Sequence, residues 1–167
     1  YRRTVWSYLL PLYLSGVDFL RSEPSVDPSR IAVYGISFAG YAALLTAAVD
    51  ERIAAVVYSN PFESPGPQLS SDGAYFMPNI WKAELCSFTS LLHDGSLIAP
   101  RSFIWENGLG DANVPQRLHP QDDGAPASLY ARLGISERFR LARHDGGHET
   151  RPQVTIPLID QMMGSQD

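Results

Sequence analysis

The chain has 167 residues and a formal net charge of −5 at pH 7. That length is enough for one domain with a substantial core and is short for two. The acidic balance excludes the basic footprint of a nucleic-acid-binding protein. Without a run of about 18 apolar residues, no transmembrane helix is expected. The single cysteine, Cys86, excludes an intrachain disulfide and leaves the cellular compartment open.

Helix-like and strand-like segments alternate along the chain, which is typical of an α/β fold with a parallel sheet. A single domain over residues 1–167 is therefore predicted. Its predicted elements are, in order, helix 4–21, strand 31–35, helix 38–49, strand 53–58, a variable cap-like segment at about 61–98, strand 102–106, helix 125–133, strand 138–143 and helix 152–163. The last strand alternates polar and apolar residues, as expected near a sheet edge.

A serine lies directly between the first predicted strand and a helix rich in small residues. Residues 33–40 read Val-Tyr-Gly-Ile-Ser-Phe-Ala-Gly, with Ser37 at the junction. A sharp turn there would expose the hydroxyl, and the N–H groups at the helix start would face any oxyanion formed nearby. The segment departs from Gly-x-Ser-x-Gly because Ala39 replaces the second glycine and Gly40 follows it. A helix cap is the alternative role for Ser37.

A nucleophilic serine needs a base, and the chain has four histidines. His148 lies in the sequence Asp-Gly-Gly-His-Glu, after the last predicted strand. We expect the two glycines to let this loop turn sharply and bring the imidazole over the strand ends. His144 is at the end of the strand, where a structural role is expected, and His93 and His119 lie in irregular segments. His148 is therefore the preferred base.

The base needs an acid to orient it. Asp111 follows the third predicted strand, and Glu106, which ends that strand, is the second choice. Asp122 and Asp123 lie in a polar stretch where solvation is expected. The resulting chain order of serine, aspartate and histidine is that of α/β-hydrolases. Because all three residues follow strands, they are expected at the carboxyl edge of a parallel sheet.

At these residues the sequence resembles the α/β-hydrolase superfamily, most closely the branch of dienelactone hydrolases and acetyl xylan esterases, which overlaps with prolyl-oligopeptidase-type domains. The resembling stretches are residues 18–20 with 26–33, 35–40, 50–53, 98–101 with 107–108 and 111–115, and 145–149. The resemblance implies an α/β-hydrolase-type parallel sheet flanked by helices, lacking the N-terminal strands of full members. It also implies that the Phe38 N–H contributes to the oxyanion hole, while the family's second donor loop has no counterpart here.

The function that the resemblance implies is a serine carboxylic-ester hydrolase, which acts on small or medium acyl esters through a Ser37, His148 and Asp111 triad. It needs no metal or organic cofactor, and no nucleic-acid or membrane partner is expected. A prolyl-oligopeptidase-like serine peptidase and a catalytically incompetent fragment with a role in assembly are the alternatives. Aromatic side chains of the variable segment either line an acyl pocket or only pack that segment; they are Phe62, Tyr75, Phe76, Trp81 and Phe88.

The strand before Ser37, which is central in full family members, is expected at the edge of the sheet here. A long apolar edge is prone to association. We therefore expect the chain to be a fragment, a processed subunit or one member of an oligomer that covers this edge.

Overall fold

Helices and strands alternate through the part of the chain that the structure, a computed structural model, describes: residues 6–60, 95–112 and 124–164. The helices are α1 (Trp6–Ser22), α2 (Ser37–Val49), α3 (Gly124–Arg132) and α4 (Pro152–Gly164), with a short 3-10 helix at Ser136–Arg138. The strands are β1 (Ala32–Ile36), β2 (Ala55–Ser59), β3 (Ser102–Gly108) and β4 (Phe139–His144). The helices and strands predicted within the described residues are present, with ends there within about two residues of the prediction. Residues 61–94 of the predicted cap-like segment lie outside the described residues.

The four strands form one parallel sheet in the order β1–β2–β3–β4. Every residue of β2 and β3 is buried, as expected for the two inner strands of a parallel sheet that is covered on both faces. β1 and β4 are partly exposed and form the two edges of the described sheet, as predicted for both strands. Parallel pairing brings the carboxyl ends of all four strands to one edge. The residues that follow the strands therefore meet there.

The sheet is covered on both faces. Side chains of α1, α2 and α3 pack on one face, around Tyr41, Phe103 and Tyr130. Helix α4 covers the other face, where Ile159 and Met162 pack against apolar residues of β2, β3 and β4. Helix α2 has buried residues on every side because it lies between α1 and the sheet. Within the described ranges, no helix combines the length and the apolar character needed to cross a bilayer.

Candidate active site

The serine turn has the backbone geometry of a nucleophile elbow. Ser37 is the first residue of α2, directly after β1, and its φ of 56° lies in the left-handed region that residues with side chains rarely adopt. Such a conformation costs about 1–3 kcal/mol and persists only where the surrounding structure enforces it. Ile36, and not Ser37, occupies the cap position of α2. The alternative in which Ser37 is only a helix cap is therefore wrong.

Two glycines allow β1 and α2 to approach closely at this turn. A Cβ atom on Gly35 would lie 2.1 Å from the Ala39 carbonyl oxygen. A Cβ atom on Gly40 would lie 2.3 Å from Cδ2 of Tyr58. Ala39 itself is exposed. The departure from the Gly-x-Ser-x-Gly pattern is therefore harmless, because the position that packs against the sheet is residue 40.

The predicted acid and base are hydrogen-bonded to each other. The Nδ1 atom of His148 lies 2.5 Å from Oδ2 of Asp111. The Asp111 side chain is fully buried, whereas the His148 side chain is 28% exposed. A carboxylate at Nδ1 favours the tautomer with a proton on that nitrogen and leaves Nε2 with a lone pair. No hydrogen bond to another described residue is recorded for the Ser37 hydroxyl, and catalytic contacts of this kind are often long without substrate.

Backbone hydrogen bonds join the acid loop (residues 109–112) to the histidine loop (residues 145–151) and to the end of β4. The N–H of Leu109 donates to the carbonyl oxygen of His144 at 2.9 Å, and the N–H of Gly110 donates to that of Gly146 at 3.0 Å. The two loops are therefore held side by side, which brings Asp111 within reach of His148.

The histidine loop bends at residues 145, 147 and 148, as the two glycines predicted, although neither glycine has a positive φ. Space also matters at Gly146, because a Cβ atom there would lie 2.8 Å from Nδ1 of His144. That ring nitrogen accepts a hydrogen bond from the Gly146 N–H at 3.1 Å. His144 thus has the structural role that was predicted for it.

Sequence reasoning missed Asn60, which directly follows β2 and is fully buried with a φ of 51°. Its Oδ1 accepts a hydrogen bond from the Gly108 N–H at 2.7 Å, and its Nδ2 donates to the Glu149 carbonyl oxygen at 3.2 Å. Asn60 therefore links the end of β3 to the histidine loop. Asparagine tolerates positive φ better than most residues, but partners 48 and 89 residues away leave no local signal in the sequence.

Glu106, the second choice for the acid, does not lie at the end of its strand. β3 continues to Gly108, so Glu106 is inside the strand and not at its end. Its carboxylate accepts hydrogen bonds from the Tyr34 hydroxyl, the Arg151 N–H and the Thr155 hydroxyl. Burial, with the hydrogen bond to Glu106 second, raises the pKa of Tyr34 to about 12. Among the described residues no hydrogen bond joins Glu106 to a histidine.

Phe38, the predicted oxyanion donor, lies in the second position of α2. The Phe38 ring stacks on Trp6 with centroids 5.0 Å apart, and its N–H is in the first turn of α2, where N–H groups lack intrahelical acceptors.

Residues 6–60, 95–112 and 124–164 contain no cluster of three or more His, Cys, Asp or Glu side chains that could hold a metal ion. Several predicted residues lie outside the described residues: His93, His119, Asp122, Asp123 and the five aromatics of the cap-like segment.

Known proteins resemble this chain in sequence and in fold. The family model for acetyl xylan esterases (AXE1) matches residues 12–67. The Bacillus subtilis protein "Putative hydrolase YtaP" is 27% identical over 151 residues, which cover 87% of this chain and 49% of that protein. "Thiohydrolase apmlB" of Arthrinium phaeospermum is 40% identical over 60 residues, 32% of this chain and 20% of that protein. The chain thus spans at most about half the length of these curated relatives.

Solved structures show the same arrangement of strands and helices. A glucuronoyl esterase from Solibacter usitatus superimposes with a TM-score of 0.71 at 14% identity, over 94% of this chain and 47% of that chain. An acetyl xylan esterase from Paenibacillus sp. R4 gives a TM-score of 0.57 at 21% identity, over 94% and 53% of the two chains. The four-stranded parallel sheet with helices on both faces is therefore part of an α/β-hydrolase fold. The chain is thus similar in sequence to acetyl xylan esterases over residues 12–67, and its fold is that of α/β-hydrolases.

Proposed function

We propose that the chain carries the catalytic residues of a serine carboxylic-ester hydrolase for small or medium acyl esters, with Ser37 as nucleophile, His148 as base and Asp111 as acid. The observation that carries this proposal is the 2.5 Å contact between His148 and the fully buried Asp111 carboxylate, at the same sheet edge as the strained Ser37 turn. A histidine that is oriented by a buried acid and still partly open to solvent is what a general base for an incoming substrate requires.

Acylation begins when His148 Nε2 takes the proton of the Ser37 hydroxyl while Oγ forms a bond to the ester carbonyl carbon. The carbonyl π electrons move to oxygen, and the Phe38 N–H donates a hydrogen bond to the oxyanion. The tetrahedral intermediate then collapses. The bond to the alkoxy group breaks, and the alcohol leaves with the proton from His148.

Deacylation repeats these steps with water. His148 removes a proton from the water molecule while its oxygen attacks the acyl carbon. The Ser37 oxygen then leaves with that proton, and the carboxylic acid is released. Asp111 stays ionised throughout, because its role is to orient the imidazole and to stabilise the imidazolium.

The similarity to esterases in sequence and fold supports hydrolysis of an ester bond. Relatives and structural neighbours are named as a hydrolase, a thiohydrolase, an acetyl xylan esterase and glucuronoyl esterases. The esterase names describe hydrolysis of an ester, a reaction that a serine triad performs by attack on the acyl carbon. Phe38 is the only oxyanion donor that we assign in this chain, and loss of one such donor lowers the rate by about 10²–10³. A test on this chain should therefore count reacted serines and not turnovers.

The test is to treat the purified chain with a fluorophosphonate probe and to read its intact mass, with Ser37→Ala as the matched control. We expect one adduct per chain for the parent and none for the variant, because only an activated serine reacts. A folded parent that stays unlabelled would contradict the assignment of catalytic competence to this chain. If the parent reacts, p-nitrophenyl acyl esters and peptide anilides should be compared; faster cleavage of anilides would favour a peptidase over the esterase that we propose.

A further inference from the structure

A carboxylate lies completely buried on the α4 face of the sheet, below the proposed active site. The Glu106 side chain has no solvent exposure. Its two oxygens accept from the Tyr34 hydroxyl at 2.7 and 2.6 Å, and Oε1 also accepts from the Arg151 N–H at 2.9 Å and from the Thr155 hydroxyl. A buried carboxylate is costly unless such donors compensate for its lost hydration.

The partners of Glu106 connect the segments that carry the proposed catalytic residues. Tyr34 lies on β1, three residues before Ser37, and Glu106 itself is on β3, five residues before Asp111. Arg151 ends the histidine loop, three residues after His148, and Thr155 is in the first turn of α4. One side chain on the α4 face of the sheet therefore connects all three segments that carry the proposed catalytic residues.

The groups around Glu106 suit a charged carboxylate better than a neutral side chain of the same shape. Each of the three partner groups donates a hydrogen bond, and an ionised carboxylate is a pure acceptor. The N–H groups at the start of α4 add a positive partial charge next to it. A glutamine of the same shape carries no charge, and its NH₂ group would force a hydroxyl that now donates to accept instead, so the remaining hydrogen bonds would be weaker than those to a carboxylate.

We propose that Glu106 is a positioning residue: its carboxylate holds the start of α4, and with it the histidine loop, against β1 and β3 so that His148 keeps its hydrogen bond to Asp111. This inference rests on the proposed function for its catalytic meaning. It assigns Glu106 no contact with substrate, and Asn60 supports the same loop from the end of β2.

The test compares Glu106→Gln with Glu137→Gln, which removes the same charge at a side chain that is 60% exposed. The first readout is the rate at which the His148 Nδ1 proton exchanges with solvent, measured by NMR without substrate at a temperature where each variant is fully folded. We expect faster exchange in Glu106→Gln and the parent rate in Glu137→Gln. Parent-like exchange in a folded Glu106→Gln protein would overturn the proposal, even if that variant is less stable.

The second readout is fluorophosphonate labelling of Ser37, for which Glu106→Gln should be slower by about 10–100-fold, the loss that a small misplacement of catalytic groups produces. If Glu106→Gln does not fold, Thr155→Val and Thr155→Ser replace it. The valine removes one donor and the serine keeps it, so exchange and labelling should change in the first variant and recover in the second. An unlabelled parent would count against the proposed function, while Nδ1 exchange would still decide the role of Glu106.

Discussion

The two sides of the proposed active site are held in place by different forces. At the serine turn, Gly35 and Gly40 let strand and helix pack directly together, and the cap position of α2 has no side-chain hydrogen bond. On the acid and base side, the buried polar side chains of Glu106 and Asn60 hold the histidine loop by hydrogen bonds. Steric fit thus fixes the turn that carries Ser37, whereas hydrogen bonds fix the loop that carries His148.

The difference determines how each side responds to change. Packed backbone atoms cannot move away from an added methyl group. A single methyl group added at the serine turn should therefore cause a large loss in the free energy of unfolding. A hydrogen-bonded loop loses its partners one at a time, and each loss costs about 1–3 kcal/mol when a buried group is left unpaired. Three substitutions test this contrast.

Gly35→Ala should have the largest effect. Its Cβ would lie 2.1 Å from the carbonyl oxygen of Ala39, a backbone atom. We expect a loss of about 3 kcal/mol or more in the free energy of unfolding, at the upper end for overpacking. Urea unfolding measures it, with Gly16→Ala as the matched control. An added Cβ at Gly16 has no neighbour within 4 Å, so alanine there should stabilise α1 by about 0.5–1 kcal/mol. Equal stability of Gly35→Ala and the parent would refute the steric account.

Asn60→Gly should have an intermediate effect. Glycine accepts the φ of 51° without strain but leaves the buried Gly108 N–H without its acceptor. We expect a loss of about 1–3 kcal/mol in urea unfolding. Asn60→Ala should lose about 1–2 kcal/mol more, because a Cβ disfavours the left-handed conformation. If the glycine variant is as stable as the parent, the hydrogen bonds of Asn60 do not support the loop, and the contrast fails on this side.

The smallest expected effect is the change that Tyr34→Phe makes in the pH dependence of stability, apart from the pH-independent cost of removing one donor to Glu106. Tyr34 titrates near pH 10 when unfolded and near pH 12 when folded, because burial and Glu106 disfavour its anion. Between these values the unfolded state binds fewer protons, so the free energy of unfolding falls as pH rises. Tyr34→Phe should make this decline shallower, as measured by urea unfolding from pH 9.5 to 12. Tyr13→Phe, at an exposed site, is the matched control, and an unchanged slope in Tyr34→Phe would argue against the buried contact.

The same contrast separates what the sequence could predict from what it could not. The run from Val33 to Gly40 predicted the elbow because strand, turn and helix follow one another directly in the sequence. The residues that approach each other closely are therefore near one another along the chain. The pairing of Asp111 with His148 was predicted from their places after strands, and these residues do meet.

The support of that pair could not be predicted. Glu106 contacts residues 72 and 49 positions away, and Asn60 contacts residues 48 and 89 positions away. Nothing in the sequence near either residue indicates these partners. Glu106 was even considered as the acid, because a strand end two residues too early placed it at the edge of the sheet.

The strand order has a consequence for synthesis. Each strand pairs with the next one along the chain, so the sheet can grow by one strand at a time as the polypeptide leaves the ribosome. A nascent chain that has folded only as far as β2 would already possess the serine turn. The imidazole comes from the loop between β4 and α4, and Glu106 and Asn60 hold that loop only after both have docked. The proposed nucleophile would therefore be in its turn before the proposed base is in place, so an unfinished chain would lack the group that activates the serine.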